Sequence, residues 1–180
     1  MRKTIKYLLL VFLLLVGGFL IYQVVIGYVA KKEAETRIQT LPNVEFVSLT
    51  GDLVDLHSFD KTKPLVIIYF HPECEHCQYE AKEIGQNAKA FEHCQLVMIT
   101  RDDSIQRVND FISKYNLFEV DNIEILLDNK NQFKKTFGKA LIPSVYIYDK
   151  SQKLKKQYLG ETKQEAIISE IENEHLNSEL

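Results

Sequence analysis

The stretch 70-FHPECEHCQYE-80 gathers two cysteines, two histidines and three glutamates into eleven residues. Cys74 and Cys77 form a C-x-x-C pair. Residues i and i+3 share one face of a helix, so two such sulfurs can approach each other. At a helix start, the first cysteine also meets unpaired N–H groups and the positive end of the dipole. Those favour the thiolate, the nucleophile of disulfide exchange, and can lower a thiol pKa from about 8.5 to roughly 3.5–7.5. This geometry predicts Cys74 as the attacking thiol and Cys77 as the resolving thiol. A structural disulfide is disfavoured, because a bridge across one helical turn closes almost no loop. Metal binding is the rival: His71, Cys74, His76 and Cys77, with His93 and Cys94, are donors suited to Cu(I) or Zn. A structural zinc site would want a second paired motif, and no C-x-x-C or H-x-x-x-H accompanies Cys94.

The pair must be held by its neighbours. Pro64 introduces LVIIYF, an apolar run typical of a strand buried on both faces, and His71-Pro72 ends it. From Cys74 to about His93, Cys77, Ala81, Ile84, Ala88 and Phe91 recur at helical spacing. QLVMIT (95–100) and IEILLD (123–128) are two more predicted strands, separated by a helix that Ser104 can cap. Upstream, residues 44–59 suggest a β-hairpin around Gly51. Downstream come a short helix 131–137 stopped by Gly138, a hairpin 144–159, and a helix from Thr162, where Thr162 and Glu165 are spaced as a capping box. Strands alternating with helices argue for a central sheet with parallel βαβ units and an antiparallel hairpin at one edge. In such sheets functional residues lie beyond the carboxyl ends of strands, where Cys74 and Cys77 fall. Cys94 reads as a small buried side chain.

Strand, C-x-x-C, helix, and much later Ile142-Pro143-Ser144 before a strand together resemble the thioredoxin fold, more specifically the membrane-anchored thiol–disulfide oxidoreductases of the TlpA/ResA type. Leu49, Gly51 and Leu56 of the hairpin, the 66-residue gap from Cys77 to Pro143, and Glu80 in a C-x-x-C-x-x-E pattern carry the resemblance, which covers roughly residues 45–171. It implies an α/β, thioredoxin-like fold: a central mixed β-sheet flanked by helices, with an N-terminal β-hairpin and a βα insertion, preceded by one transmembrane helix. It also implies that Pro143 is a cis-proline facing the cysteines and that Ile142 offers backbone to a bound peptide, with His71, Glu75 and His76 beside the substrate. Glu80 would handle protons, Ile68 standing where ordinary thioredoxins bury an acid; the alternative is a solvated helix glutamate. The chain departs from the group at Glu73, where an aromatic is usual, and at His76, where proline is common. A cation at His76 would stabilise thiolate, and Glu73 and Glu75 would oppose it. A peroxiredoxin-like activity would need Thr or Ser three residues before the cysteine, where His71 stands.

The front of the chain is of another kind. From Tyr7 to Ala30 run 24 residues without a charged side chain, behind Arg2, Lys3 and Lys6. Roughly 20 apolar residues suffice to cross a bilayer, and the basic flank keeps its own side cytoplasmic. The run outlasts a signal-peptide core of about 7–15 residues and lacks an A-x-A-like cleavage site. The expected organisation is an uncleaved anchor at 1–30, a juxtamembrane tether at 31–43, and a thioredoxin-like domain at 44–180 facing the periplasmic or extracytoplasmic side of a bacterial membrane. Beyond residue 30 the chain has 19 basic and 25 acidic residues, a formal charge of −6, which disfavours a nucleic-acid face. Three cysteines are too few and odd in number for a disulfide scaffold. The expectation is an enzyme with no cofactor beyond a redox-active Cys74–Cys77 disulfide, protein thiol or disulfide substrates, and a membrane electron donor. The alternatives are a Cu/Zn metallochaperone of related fold, a peroxiredoxin-like antioxidant protein, and a non-enzymatic binding module.

Overall fold

The computed structural model describes residues 2–120 and 122–178. Met1 of the expected anchor and residues 121, 179 and 180 of the expected domain lie outside the described residues. Two compact units divide between Thr36 and Arg37. The first is one helix, α1 (Arg2–Arg37), which reaches the start of the second unit. Leu13, Phe19, Ile21, Tyr22 and Val24 are exposed along it, and it is long and apolar enough to cross a membrane.

The second unit is a seven-stranded sheet with helices on both faces. Its strands are β1 (Glu45–Ser48), β2 (Leu53–Asp55), β3 (Leu65–Phe70), β4 (Gln95–Thr100), β5 (Ile123–Leu127), β6 (Ser144–Tyr148) and β7 (Leu154–Leu159). They lie in the order β2-β1-β5-β4-β3-β6-β7. β3, β4 and β5 are parallel, while β1 and β6 run antiparallel to their neighbours. The mixed sheet, the N-terminal hairpin and the β4–β5 insertion are those expected from the sequence.

All six residues of β3 are buried, and they divide by the two-residue period of a strand. Val66, Ile68 and Phe70 join Ala81 and Ile84 of α2 (Glu75–Gln86), Val108 and Phe111 of α3 (Ile105–Lys114), and Ile167 and Ile171 of α5 (Gln164–Ser178). Leu65, Ile67 and Tyr69 join Phe133 and Phe137 of α4 (Gln132–Phe137) and Tyr146 and Tyr148 on the other face. Tyr69 and Phe133 stack there with ring centroids 3.9 Å apart.

Three sequence expectations shift. Residues 37–43, expected in a tether, belong to the globular unit. Ile38 and Leu41 are buried in the second core cluster, and Thr40 bridges to Lys153. The helix expected to reach about His93 ends at Gln86, followed by a 3-10 turn over Ala88–Phe91. That turn still delivers Phe91 to the core, which is why the apolar spacing continued past the helix end. The capping box at Thr162 does not form as expected: the Thr162 hydroxyl donates to the Gly160 carbonyl (3.1 Å), and α5 begins at Gln164.

Candidate active site

β3 ends at Phe70, and the chain turns through His71-Pro72-Glu73 into α2. The Cys74 amide donates to the His71 carbonyl (3.0 Å), and Gln78 donates its amide to the Cys74 carbonyl (2.9 Å) and its side chain to the Pro72 carbonyl (2.8 Å). Cys74 occupies the N-cap of α2 with extended backbone (φ −77°, ψ 119°). It is half-buried, whereas Cys77 one turn on is 1% exposed, and both are free thiols. Burial pushes the Cys77 thiol far up, opposed by the His71 backbone amide and reinforced by Cys74 and the charge of Glu80.

One further turn along α2 lies Glu80, 3% exposed. The solvated-glutamate alternative is therefore excluded. Burial pushes its carboxyl up to about 7, opposed by a hydrogen bond from the Thr162 amide to Oε1 at 2.6 Å. Oε2 is buried and has no hydrogen-bond partner among the described residues. This buried acid lies on α2 one turn beyond the buried Cys77 thiol.

The Ile142–Pro143 peptide bond is cis. Tyr69 pairs with Ser144, so Pro143 stands at the same end of the sheet as His71 and Cys74. Its carbonyl accepts the Gly160 amide at 2.9 Å. Ile142 is half-buried and packs against the core on both sides. Glu75 is exposed in the first turn of α2, where a carboxylate meets the positive end of the dipole. His76 is exposed and pairs through Nδ1 with Glu161.

Sequence reasoning missed a charged cluster beside this turn. Asp102, just past the end of β4, has a buried side chain. It accepts Arg107 Nε (2.5 Å) and Nη2 (3.0 Å), together with the Ser104 amide (2.9 Å). Arg107 Nη1 also reaches Glu73 (3.3 Å), and His71 Nε2 lies 3.7 Å from Asp102. His71 Nδ1 accepts the Glu73 amide (3.2 Å). Burial would raise the Asp102 carboxyl, but the hydrogen bonds and charge of Arg107 and the Ser104 amide hold it below its ordinary value. The usable signal was position: Asp102 follows the carboxyl end of the strand beside β3, as Cys74 follows β3.

Cys94 and His93 are not brought to this site. Cys94 precedes β4 at Gln95, which pairs with Leu65, the opposite end of β3 from Cys74. Six residues at about 3.3 Å each put roughly 20 Å of strand between them. The Cys94 thiol is fully buried, donates to the Phe91 carbonyl (3.3 Å), and is pushed up to about 12 by burial. Among the described residues, no three His, Cys, Asp or Glu side chains converge on a point that could hold a metal ion.

Known proteins bear on this geometry. The chain is 22% identical over 170 residues to the thiol-disulfide oxidoreductase ResA of Bacillus thuringiensis subsp. konkukian, covering 92% of this chain and 94% of that one. Its fold is shared with a secreted Mycobacterium tuberculosis disulfide oxidoreductase homologous to E. coli DsbE (TM-score 0.63, 22% identity, 77% of this chain and 98% of that one). It is shared too with StoA from Bacillus subtilis (TM-score 0.57, 18% identity, 73% and 98%). These likenesses agree with the thioredoxin-like architecture built above. The model of the AhpC/TSA family matches residues 38–157, two thirds of the sequence and all of the site from Pro64 to Pro143, and the chain belongs to that family.

Proposed function

We propose that this chain is a thiol–disulfide oxidoreductase, held to a membrane by α1, that uses the Cys74–Cys77 dithiol to reduce disulfides of protein partners outside the cytoplasm. The observation that carries this reading is the ordering of three groups along one helix: a half-exposed thiol at its N-cap, a buried thiol one turn in, and a buried acid one turn further.

Each group has a step. The Cys74 thiolate attacks one sulfur of a substrate disulfide, forming a mixed disulfide and releasing the first substrate thiolate, which takes a proton from solvent. Cys77 then loses its proton to the Glu80 carboxylate and attacks Cys74 Sγ. The Cys74–Cys77 disulfide forms, and the second substrate sulfur leaves and is protonated. Two electrons and two protons pass from the enzyme dithiol to the substrate. The cis Ile142–Pro143 segment, at the same end of the sheet, offers backbone to the bound peptide, with His71, Glu75 and His76 around it. A membrane dithiol donor restores the reduced pair by the reverse chemistry. The basic Arg2, Lys3 and Lys6 at the start of α1 support a domain on the far side of the membrane, and the ResA relatives support the same activity.

The test is trapping. Cys77→Ser should accumulate a mixed disulfide through Cys74 that reductant releases, and Cys74→Ser should abolish exchange. Exchange that survives Cys74→Ser would overturn the assignment. One equivalent of copper or zinc retained by the reduced protein after dialysis would favour metal handling instead.

A further inference from the structure

One four-residue turn, 160–163, touches Pro143, Glu80 and His76. It joins β7 to α5. Gly160, at φ 103°, donates its amide to the Pro143 carbonyl, and Thr162 donates its amide to Glu80. Between them the Glu161 carboxylate meets the imidazole of His76, 85 residues away in the chain and immediately before Cys77. The two backbone contacts do not use the Glu161 side chain, so that side chain can be altered while the turn stays tied at both ends.

We propose that Glu161 is a positioning residue for the redox pair: it holds the His76 ring against the β7–α5 turn and offsets its charge, keeping the Cys74–Cys77 couple more reducing than a free histidine between the cysteines would leave it. The proposal rests on the redox reading of the pair given above.

A cation beside the attacking sulfur stabilises thiolate, and stabilising the reduced form makes a couple more oxidising. An imidazolium paired with a carboxylate carries no net charge. A neutral imidazole beside Glu161 leaves a net negative one. In either state the surroundings of Cys74 are more negative with Glu161 than with glutamine there. The other acids at this end, Glu73 (engaged by Arg107), exposed Glu75 and buried Glu80, are unchanged by substitution at Glu161 and drop out of the comparison. Glu161 and His76 both act electrostatically on Glu80, in opposite directions, so the pair lies within reach of the site. Its side chains are 42% and 66% exposed, so solvent screening keeps the effect modest.

The experiment equilibrates the full chain in detergent micelles with glutathione and reads Cys74 and Cys77 by mass tagging. Glu161→Gln should shift the equilibrium about threefold toward the dithiol, about 14 mV less negative for a two-electron couple. Glu161→Asp should restore most of it. In a His76→Ala background the part of the shift that comes from releasing the ring should vanish, leaving only the smaller direct effect of the Glu161 charge. A reversible disulfide whose equilibrium Glu161→Gln leaves unchanged overturns the inference alone, as does an equal shift in both backgrounds. Failure of the unsubstituted chain to form a reversible Cys74–Cys77 disulfide overturns the functional reading and the inference with it.

Discussion

The amide of Thr162 and the carboxyl of Glu80, 82 residues apart in the chain, meet at 2.6 Å one helical turn beyond Cys77. The contact anchors the turn before α5 to α2 and engages only one carboxyl oxygen, leaving the other buried without a partner among the described residues. A group held this way is costly to ionise and available to take a proton.

Glu80 therefore predicts a pH signature. Burial raises its carboxyl from 4.5 to about 7. Between those values the folded chain keeps a proton that the unfolded chain has lost, so this contribution to stability is full below about pH 4.5 and is lost as pH rises through 7. Its size is on the order of 3 kcal/mol. Urea denaturation of Glu80→Gln should give a flatter stability profile between pH 4.5 and 7 than the unsubstituted chain. The same variant should slow turnover of a model disulfide by about 10²-fold and accumulate mixed disulfide, because Cys77 loses its proton acceptor.

Thiol labelling should sort the three cysteines by burial. Cys74 is half-exposed at a helix start, while Cys77 and Cys94 are buried and their thiols are pushed up. The reduced native chain at pH 8 should take one alkyl label rapidly, at Cys74, and three only after denaturation. Rapid native labelling of Cys94 would contradict its burial.

How much of this was legible beforehand follows the range of each signal. The C-x-x-C pair, the buried run LVIIYF and the strand–helix alternation are local patterns, and each predicts its element. Glu80 was visible as a residue but ambiguous as a role, because its burial depends on a turn 82 residues away. The Arg107–Glu73 and Glu161–His76 contacts were missed for the same reason: Arg107 meets Glu73 across 34 residues and Glu161 meets His76 across 85. At Thr162 a local signal lost to tertiary contacts. The spacing to Glu165 is that of a capping box, but the amide is given to Glu80 and the hydroxyl to Gly160.

The Asp102–Arg107 contact should matter to stability. Arg107→Ala leaves a buried carboxylate without its cation and frees Glu73. Arg107 is 44% exposed, so the loss of stability should fall well short of that for breaking a fully buried pair. Because Arg107 holds the Asp102 carboxyl below its ordinary value, the stability it supplies is present above the ordinary carboxylate range and is lost as pH falls through the folded-state value. Denaturation curves of Arg107→Ala and the unsubstituted chain should differ most at neutral pH and approach each other in acid.

Gly85 tests how closely α2 is packed. A Cβ built there would stand 1.8 Å from the Tyr115 carbonyl oxygen, a backbone atom held by the end of α3. Elsewhere in a helix Gly→Ala is favourable by roughly 0.5–1 kcal/mol, since alanine restricts the unfolded chain more. Here the steric term must win, because neither backbone can yield without moving a helix that carries Ile84 into the core on one side or Phe111 on the other. Gly85→Ala is expected to lose about 3 kcal/mol, the upper range for overpacking, read as a lowered urea midpoint. The displacement would also pass along α2 to Cys77 and Glu80, so disulfide exchange should slow even under conditions where the variant remains folded. A variant as stable as the unsubstituted chain would show that α2 and the Tyr115 turn are not in contact at this point.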